Sequence, residues 1–329
     1  MTAASVDRSF TDWAGSVWVR FALRRAGQLV LSLWVLVTAA FTMIHVIPGD
    51  PVRAALGPTA PLALIQQRRA ALGLDDPWWQ QYFHYLGHLF TGDLGVSMTS
   101  GLPVAGVIGD RLGATVEMAV LAFAVAVAVS VPLGTLMAVL ARDGRRRGGD
   151  WFFTSASIVV ATIPDFLMAV GLVFVFSVSL HWLPVAGRSG PVSYVLPVLS
   201  LAIGPALMLA RIVRVEMLAV LQTDYIRTAR AKRVRSTALY LKHALPNALT
   251  ATITMGGLLL GALVAGTVLV ENIFAWPGLG GTIVGSIVAK DYPTVQAVVL
   301  VYGVGVLLVN LAVDVALALI DPRSTIREA

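Results

Sequence analysis

The sequence predicts an all-α polytopic membrane protein of six transmembrane helices, and three observations carry that prediction. First, 57% of the 329 residues are hydrophobic and only 13% are charged, with a mean hydropathy of +0.80. No soluble core of this length needs so much apolar surface. Second, the apolar residues gather into six runs on the scale of a bilayer's hydrocarbon layer. Third, 18 of the 24 Lys and Arg fall within residues 1–26, 142–150, 211–243 and 321–329. Basic segments resist translocation, so these four segments, both termini included, are expected in the cytoplasm. A pI near 10.0 would suggest nucleic acid in a soluble protein; here the charge sits beside the spans, and no nucleic-acid partner is expected. The chain has no cysteine, which excludes disulfides, thiolate metal sites and thiol catalysis.

Residues 1–26 carry Arg8, Arg20, Arg24 and Arg25 against Asp7 and Asp12 and read as a cytoplasmic N-terminal segment. Residues 27–47 form the first span. A cleaved signal peptide fits less well: the leader is long, the apolar run has the length of a full span, and no small-x-small site precedes Pro48. Residues 48–113 are polar enough to leave the membrane as an extracytoplasmic subdomain. It holds Pro48-Gly-Asp-Pro51, a helix from Pro61 to Leu72 stopped by Gly73-Leu-Asp-Asp-Pro77, an amphipathic stretch from Trp78 to Phe90, and a turn at Gly92-Asp-Leu-Gly95. Trp78, Trp79, Tyr82, Phe83 and Tyr85 are placed to sit at the membrane interface.

Residues 114–320 form a five-helix core. The second span is Ala114 to Ala141, with Glu117 near its outer end and Pro132 inside it; Arg142-Asp-Gly-Arg-Arg-Arg147 is the basic inner loop that follows. The third, Trp151 to Leu180, is broken by Pro164 and carries Asp165 near its middle. After a short outer loop come the fourth span, Tyr194 to Leu209, and a long basic loop. The fifth, Ala248 to about Val270, contains Gly257-x3-Gly261, where small residues let helices approach closely or thin a helix that lines a pathway. An outer turn over 271–293 leads into the sixth, Thr294 to Ile320, and residues 321–329 are a cytoplasmic tail.

The basic loop, residues 211–247, holds eight Lys and Arg against Glu216 and Asp224. Thr223 or Asp224 is expected to cap a short helix over Tyr225 to Arg233. On that helix Tyr225, Ile226 and Ala229 share one side, and Arg227 and Arg230 lie on another. One or two turns are not stable alone, so the helix is expected to rest on a partner surface. A loop lying on anionic headgroups is the competing reading of the charge.

No catalytic constellation is present. His84 and His88 stand four apart on a predicted helix, but no third ligand accompanies them, and no metal site is expected. The absence of any Gly-Lys dipeptide excludes a P-loop, so any ATP must be hydrolysed by another chain. Three acids lie within spans. Glu117 is near a boundary, where headgroup water can hydrate it. Asp314, one turn from Asn310, is placed to satisfy a helix end or to pair with Arg323. Asp165 is close to the midplane, beside a proline that frees a backbone carbonyl, and no span offers it a Lys or Arg. It is expected to face a water-filled cavity, to meet a second subunit, or to be protonated. In an alternative reading, Asp165 and Asp314 couple protons in a secondary transporter or channel. Inverted repeats would support that reading, and the two halves show no internal similarity.

The spacing of the basic loop resembles the cytoplasmic loop of ABC importer permeases, E-A-A-x3-G-x9-I-x-L-P. Ala229 takes the second alanine, Leu245 and Pro246 the terminal Leu-Pro, and the nine-residue gap is kept. The departures are Arg227 for Glu, Thr228 for Ala, Arg233 for Gly and His243 for Ile. Gly at position 233 would permit a tight turn that Arg makes less easily. Asp224 to Lys232 with His243-Ala-Leu-Pro-Asn-Ala-Leu249 resembles the variant of the dipeptide and oligopeptide branch. So does the order Pro-Gly-Asp-Pro, Leu-Gly-Leu-Asp-x-Pro, Gly-Asp-Leu-Gly-x-Ser in residues 48–97. Phe274-x-x-Pro-Gly-Leu-Gly280, Asp291-Tyr-Pro293, Asn310-x3-Asp314 and Asp321-Pro-Arg323 extend the likeness to the C-terminal third.

The resemblance implies a type I ABC importer permease fold in a bacterial inner (plasma) membrane, with residues 48–113 as an external scoop. It implies a heterodimer with a second, similar permease, two cytoplasmic ATPase subunits that hold ATP and Mg, and an extracytoplasmic substrate-binding protein. No cofactor is implied on this chain, and the cargo would be di- or oligopeptides or related small solutes. Residues implied to meet an ATPase are Asp224, Tyr225, Ile226, Arg227, Thr228, Ala229, Arg230, Ala231, Lys232 and Arg233, with Leu245 and Pro246. Asp165, Gly257 and Gly261 would line the path or meet the partner permease, and Phe274, Pro277, Gly278 and Gly280 would form an outer gate or turn.

Overall fold

Long apolar runs leave the backbone no water to bond, so each run must satisfy its own N–H and C=O groups as a helix. The computed structural model describes residues 4–46, 50–57, 59–71, 73–142 and 147–320. Its elements in order are α1 (Ala4–Val46), α2 (Pro51–Leu56), α3 (Leu62–Ala71), α4 (Trp78–Phe90), α5 (Val104–Ala141), α6 (Arg147–Thr162) and α7 (Asp165–Leu172), the last continued by a π-helical turn. After a short 3-10 turn follow α8 (Val195–Leu221), α9 (Asp224–Ala231), α10 (Ser236–Ala238) with a second π-helical turn (Leu239–Ala244), α11 (Leu245–Ile273), α12 (Leu279–Val288) and α13 (Tyr292–Ile320). Among the described residues, five helices are long and apolar enough to cross a membrane. The bent pair Gly148–Thr162 and Asp165–Ser179, whose halves meet at 97°, makes a sixth span when counted as one.

Several boundaries differ from the expected ones. Helix α1 begins at Ala4, and its apolar span is Ala22–Met43. Helix α5 starts at Val104, directly after Pro103, so residues assigned to the external subdomain are the first turns of the second span. Helix α8 continues to Leu221, carrying Arg211, Arg214 and Glu216, which were expected in a loop. Residues 271–293 are more than a turn, because they contain α12. Pro48, residues 143–146 of the basic inner loop and the tail with Arg323 lie outside the described residues.

Helices α5 and α8 form the centre. Ala114, Met118, Ala122 and Ala126 recur every four residues and so line one face of α5, where they join Leu201, Ala202 and Ala206 of α8 in the main buried cluster. A methyl on Gly134 would overlap the carbonyl oxygen of Ala210, so the two backbones meet where only glycine fits. The same device joins α11 to α13. A methyl on Gly257 would overlap Val313, and one on Gly261 would stand 3.3 Å from Oδ1 of Asn310. Both glycines are buried within the chain. They hold two of its own helices together, which is the first of the two roles open to them.

Candidate functional site

Helix α9 is the expected short helix, displaced by one residue at its start. Its cap is not the expected one. Thr223 has an extended backbone but no side-chain bond to the first turn, and its hydroxyl donates instead to the Val220 carbonyl at 2.6 Å. Asp224, in the first turn, lies at the positive end of the helix dipole. Ile226 is fully buried, packed among Ala138 of α5, Met217 and Leu221 of α8, and Leu239, Ala244 and Ala248 at the entry to α11; Ala229 packs against the same cluster. Burial of an isoleucine contributes about 1.5–3 kcal/mol, enough to hold eight residues that would not stay helical alone. The surface on which α9 rests is therefore the chain itself.

Further bonds fix α9 to the start of the fifth span. The Tyr225 hydroxyl donates to the His243 carbonyl at 3.3 Å. The Asn247 side-chain amide donates to the Tyr225 hydroxyl and to the His243 carbonyl, each at 3.0 Å. Leu245 and Pro246 open α11 directly after the π-helical turn Leu239–Ala244. Exposed along α9 and its end are Asp224, Tyr225, Arg227, Thr228, Arg230, Ala231, Lys232 and Arg233, with Arg227, Thr228 and Ala231 on the side opposite Ile226. Arg233 ends the helix at φ +55. Its N–H donates to the Arg230 carbonyl at 2.9 Å, and the Val234 N–H donates to the Ala229 carbonyl at 3.2 Å. This is a Schellman stop, whose left-handed residue is usually glycine, and here arginine occupies it.

The opposite end of the bundle carries the turn from Phe274 to Gly280. Phe274 and Trp276 are buried, and the Trp276 indole N–H donates to the Ala114 carbonyl at 3.2 Å. Pro277 is exposed. Glu271, fully buried on α11, accepts the Gly280 N–H on Oε2 at 2.6 Å, while the Thr115 hydroxyl accepts the Leu279 N–H at 2.9 Å. These two side chains cap the start of α12. Glycine is required beside them: a methyl on Gly278 would lie 2.7 Å from Thr115 Oγ1, and one on Gly280 would lie 2.6 Å from the Val268 Cα. Arg111 of α5 adds a bond to Thr282 of α12 at 2.9 Å. Sequence reasoning placed Phe274, Pro277, Gly278 and Gly280 here but missed Glu271 and Thr115. A lone acid three residues before Phe274 was the available signal.

Asp291, buried at the start of α13, accepts from the Ser97 hydroxyl at 2.5 Å, the Met98 N–H at 3.0 Å and the Thr294 hydroxyl at 2.9 Å. The Gly-Asp-Leu-Gly-x-Ser and Asp-Tyr-Pro segments thus meet. Beside them a cavity of about 630 Å³ opens between α3, α4, α1 and α13; His84, Tyr85, His88 and Asp93 are among its walls. His88 is hydrogen-bonded to Asp93 at 2.9 Å. The Gly95 N–H and then His88 hold the Asp93 carboxyl below its usual range, and burial pushes the Tyr85 hydroxyl above its own. Among the described residues no three His, Cys, Asp or Glu are grouped to hold a metal. Of the five aromatic residues expected at the interface, Trp78, Trp79 and Phe83 are exposed. Tyr82 and Tyr85 pack instead on Phe41 of α1, with ring centroids 5.1 and 5.7 Å away.

The intramembrane acids separate by partner. Glu117 is bonded to Arg188 at 2.6 Å and to the Tyr194 hydroxyl at 3.1 Å, so a protein cation holds it rather than headgroup water. Asp314 pairs with Arg25 of α1 at 2.9 Å; Arg323, the partner expected for it, lies outside the described residues. Asp165 opens α7 at the 97° break, with Pro164 before it in extended geometry. Its carboxylate faces α8 and α11: a methyl on Gly266 would be 3.3 Å from one oxygen, and one on Gly204 4.0 Å from the other.

Comparisons with known proteins agree along the chain. Residues 130–326 match the family described as binding-protein-dependent transport system inner membrane component. Residues 18–119 match that described as the N-terminal part of the binding-protein-dependent transport system membrane component. The chain is 38% identical to the glutathione transport system permease protein GsiC of Escherichia coli strain K12 over 304 residues, covering 92% of this chain and 98% of that protein. The same figures hold for the GsiC protein of Shigella flexneri serotype 5b. In structure it resembles a chain of the MetNI methionine ABC transporter in an inward-facing conformation. The TM-score is 0.56 at 18% identity, over 67% of this chain and 98% of that one. This last likeness is one of fold.

Proposed function

We propose that this chain, which belongs to the family of binding-protein-dependent transport system inner membrane components and is a permease subunit of an ATP-driven importer in a bacterial inner membrane, carries small peptides of the glutathione class. Membership replaces the alternative of a proton-coupled transporter or channel. The observation that carries the cargo class is the identity of 38% across nearly the whole of two glutathione permeases. In this reading the chain pairs with a second, similar permease and takes solute from an external binding protein that meets residues 48–113. Two ATPase subunits, holding ATP and Mg, sit below residues 211–247, and both termini are cytoplasmic.

The contact with an ATPase is assigned to the exposed side of α9, with Arg227, Thr228 and Lys232 at its centre. Burial of Ile226 between α8 and α11 supports this assignment. A helix anchored to the ends of two spans moves with them, so an ATPase pair that changes shape on binding ATP favours one permease conformation. The test is ATP-dependent uptake of labelled glutathione and tripeptides by proteoliposomes holding this chain, the second permease, both ATPases and the binding protein. Uptake of either cargo is expected, and this chain purified alone is expected to hydrolyse no ATP. Uptake of neither cargo by an assembled, ATP-hydrolysing complex would overturn the peptide reading.

A further inference from the structure

The break in the third span raises a question that the helix bundle does not answer by itself. Residues 162–164 and Phe166 are exposed there and Asp165 is half-buried, so irregular backbone surfaces inside a span. Within the hydrocarbon such backbone persists only against protein or beside a water-filled path. A second observation stands apart from the backbone. Glu117, Asp150, Glu271 and Asp314 each have a protein partner: Arg188, Arg214, the Gly280 N–H and Arg25. Asp165 has neither a hydrogen bond nor an ion pair among the described residues. Its depth is set by its neighbours. Gly266 and Gly204 lie seven and nine residues from the Ile273 and Val195 ends of their helices, or roughly 10–14 Å at helical rise. A carboxylate at that depth needs a counter-charge or a water-filled surround.

Two sources of counter-charge are available, a basic side chain of the partner permease or the solute. The setting favours the solute. The half-buried carboxylate is set back beside α8 and α11, where Gly266 and Gly204 place no side chain against its oxygens, and a small ammonium reaches such a position without a long side chain. Resting on the permease reading above, we infer that Asp165 is the station in the translocation path where a cationic ammonium group of the passing solute is held. The ligand class is a primary or secondary ammonium, such as the α-amino group of a small peptide.

Two measurements on the assembled complex test this. In the first, uptake of labelled glutathione is compared for wild type, Asp165→Asn and Asp165→Glu. Loss of a recessed charge partner is expected to lower uptake about tenfold or more in Asp165→Asn, and Asp165→Glu is expected to restore most of it. Subunit assembly and solute affinity of the free binding protein should stay unchanged. Equal uptake by Asp165→Asn overturns the inference. So does loss of the second permease from the purified Asp165→Asn complex, because the counter-charge is then a partner's side chain. The second measurement does not depend on cargo. A water-soluble carbodiimide is expected to modify Asp165 in the wild-type complex, and ethylammonium chloride, but not sodium chloride of equal strength, is expected to slow it. Modification that ethylammonium leaves unchanged overturns the inference even where uptake succeeds. Wild-type complex that takes up no peptide but shows ammonium protection refutes the peptide reading and leaves the ammonium station standing.

Discussion

Asp314 of α13 and Arg25 of α1 face each other at 2.9 Å, joining the first and last spans near the end that carries the basic loop. An acid already matched to an arginine within its own chain is a poor proton carrier, because protonation would strand the cation. Asp314 therefore reads as a fastening between helices, in agreement with family membership and against the proton-coupled alternative.

The first prediction follows from that pair. Both side chains are about a third exposed or less, at 35% and 26%, so solvent screens much of the attraction and the pair contributes about 1 kcal/mol or less. Asp314→Asn should lower the thermal midpoint of the complex slightly and leave ATP-driven uptake within about twofold of wild type. Uptake is checked with and without a pH gradient across the vesicle. Loss of transport in Asp314→Asn, or dependence on the gradient, would restore the proton-coupled reading.

Arg233 makes the second prediction. A left-handed backbone costs a residue other than glycine about 1–2 kcal/mol, and its φ of +55 lies in that region. Arg233→Gly should therefore stabilise the loop by up to about 1 kcal/mol after the extra freedom of glycine in the unfolded chain is set against it. Arg233→Val, with a branched Cβ, should destabilise it. Thermal unfolding of the purified complex reads both. A lower midpoint for the glycine variant would mean that the arginine side chain makes a contact outweighing its backbone strain.

How far the sequence could be read is best judged at three places. The spans were legible because hydrophobic periodicity and loop charge are local properties. So was the strain at position 233, since a glycine position filled by arginine can be recognised without coordinates. The partner of α9 was not. Amphipathic spacing shows that Ile226 is covered, but the covering residues, Met217 and Ala248 among them, come from helices brought together only by folding. The bond from Ser97 to Asp291 joins residues 194 positions apart, and neither has a pattern that names the other. Glu271 was hidden differently: an acid next to a turn looks solvated until its carboxylate is seen capping α12.

That cap supports the third prediction. Glu271→Ala leaves the buried Gly280 N–H without its acceptor and should cost about 1–3 kcal/mol, whereas Glu271→Gln keeps a side-chain oxygen in place and should cost less. Gly280→Ala should also destabilise, by about 1–3 kcal/mol, because its methyl meets the Val268 backbone, which cannot turn aside as a side chain would. Thermal stability of the purified complex ranks the three variants. Equal losses for Glu271→Ala and Glu271→Gln would show that the negative charge, rather than hydrogen bonding, holds the turn.

The last prediction concerns which side of α9 an ATPase touches. Ala229→Trp appears suited to test docking on spacing alone, but Ala229 packs against the cluster around Ile226. A tryptophan there overfills the chain's own interior at about 1–3 kcal/mol, so a transport defect would follow whether or not an ATPase docks. Thr228 is the better probe, since it is exposed and its hydroxyl bonds only the Asp224 carbonyl at 3.0 Å within its own helix. Thr228→Trp should fold, insert and pair with the second permease normally while co-purifying ATPase falls. Paired Arg227→Glu and Lys232→Glu should act in the same direction and more strongly at low salt, where charge repulsion is least screened. If the loop instead lies on anionic headgroups, Thr228→Trp retains its ATPase. The double reversal would then reduce binding to vesicles of anionic lipid instead. Retention of ATPase by both variants would place the docking surface elsewhere on residues 211–247.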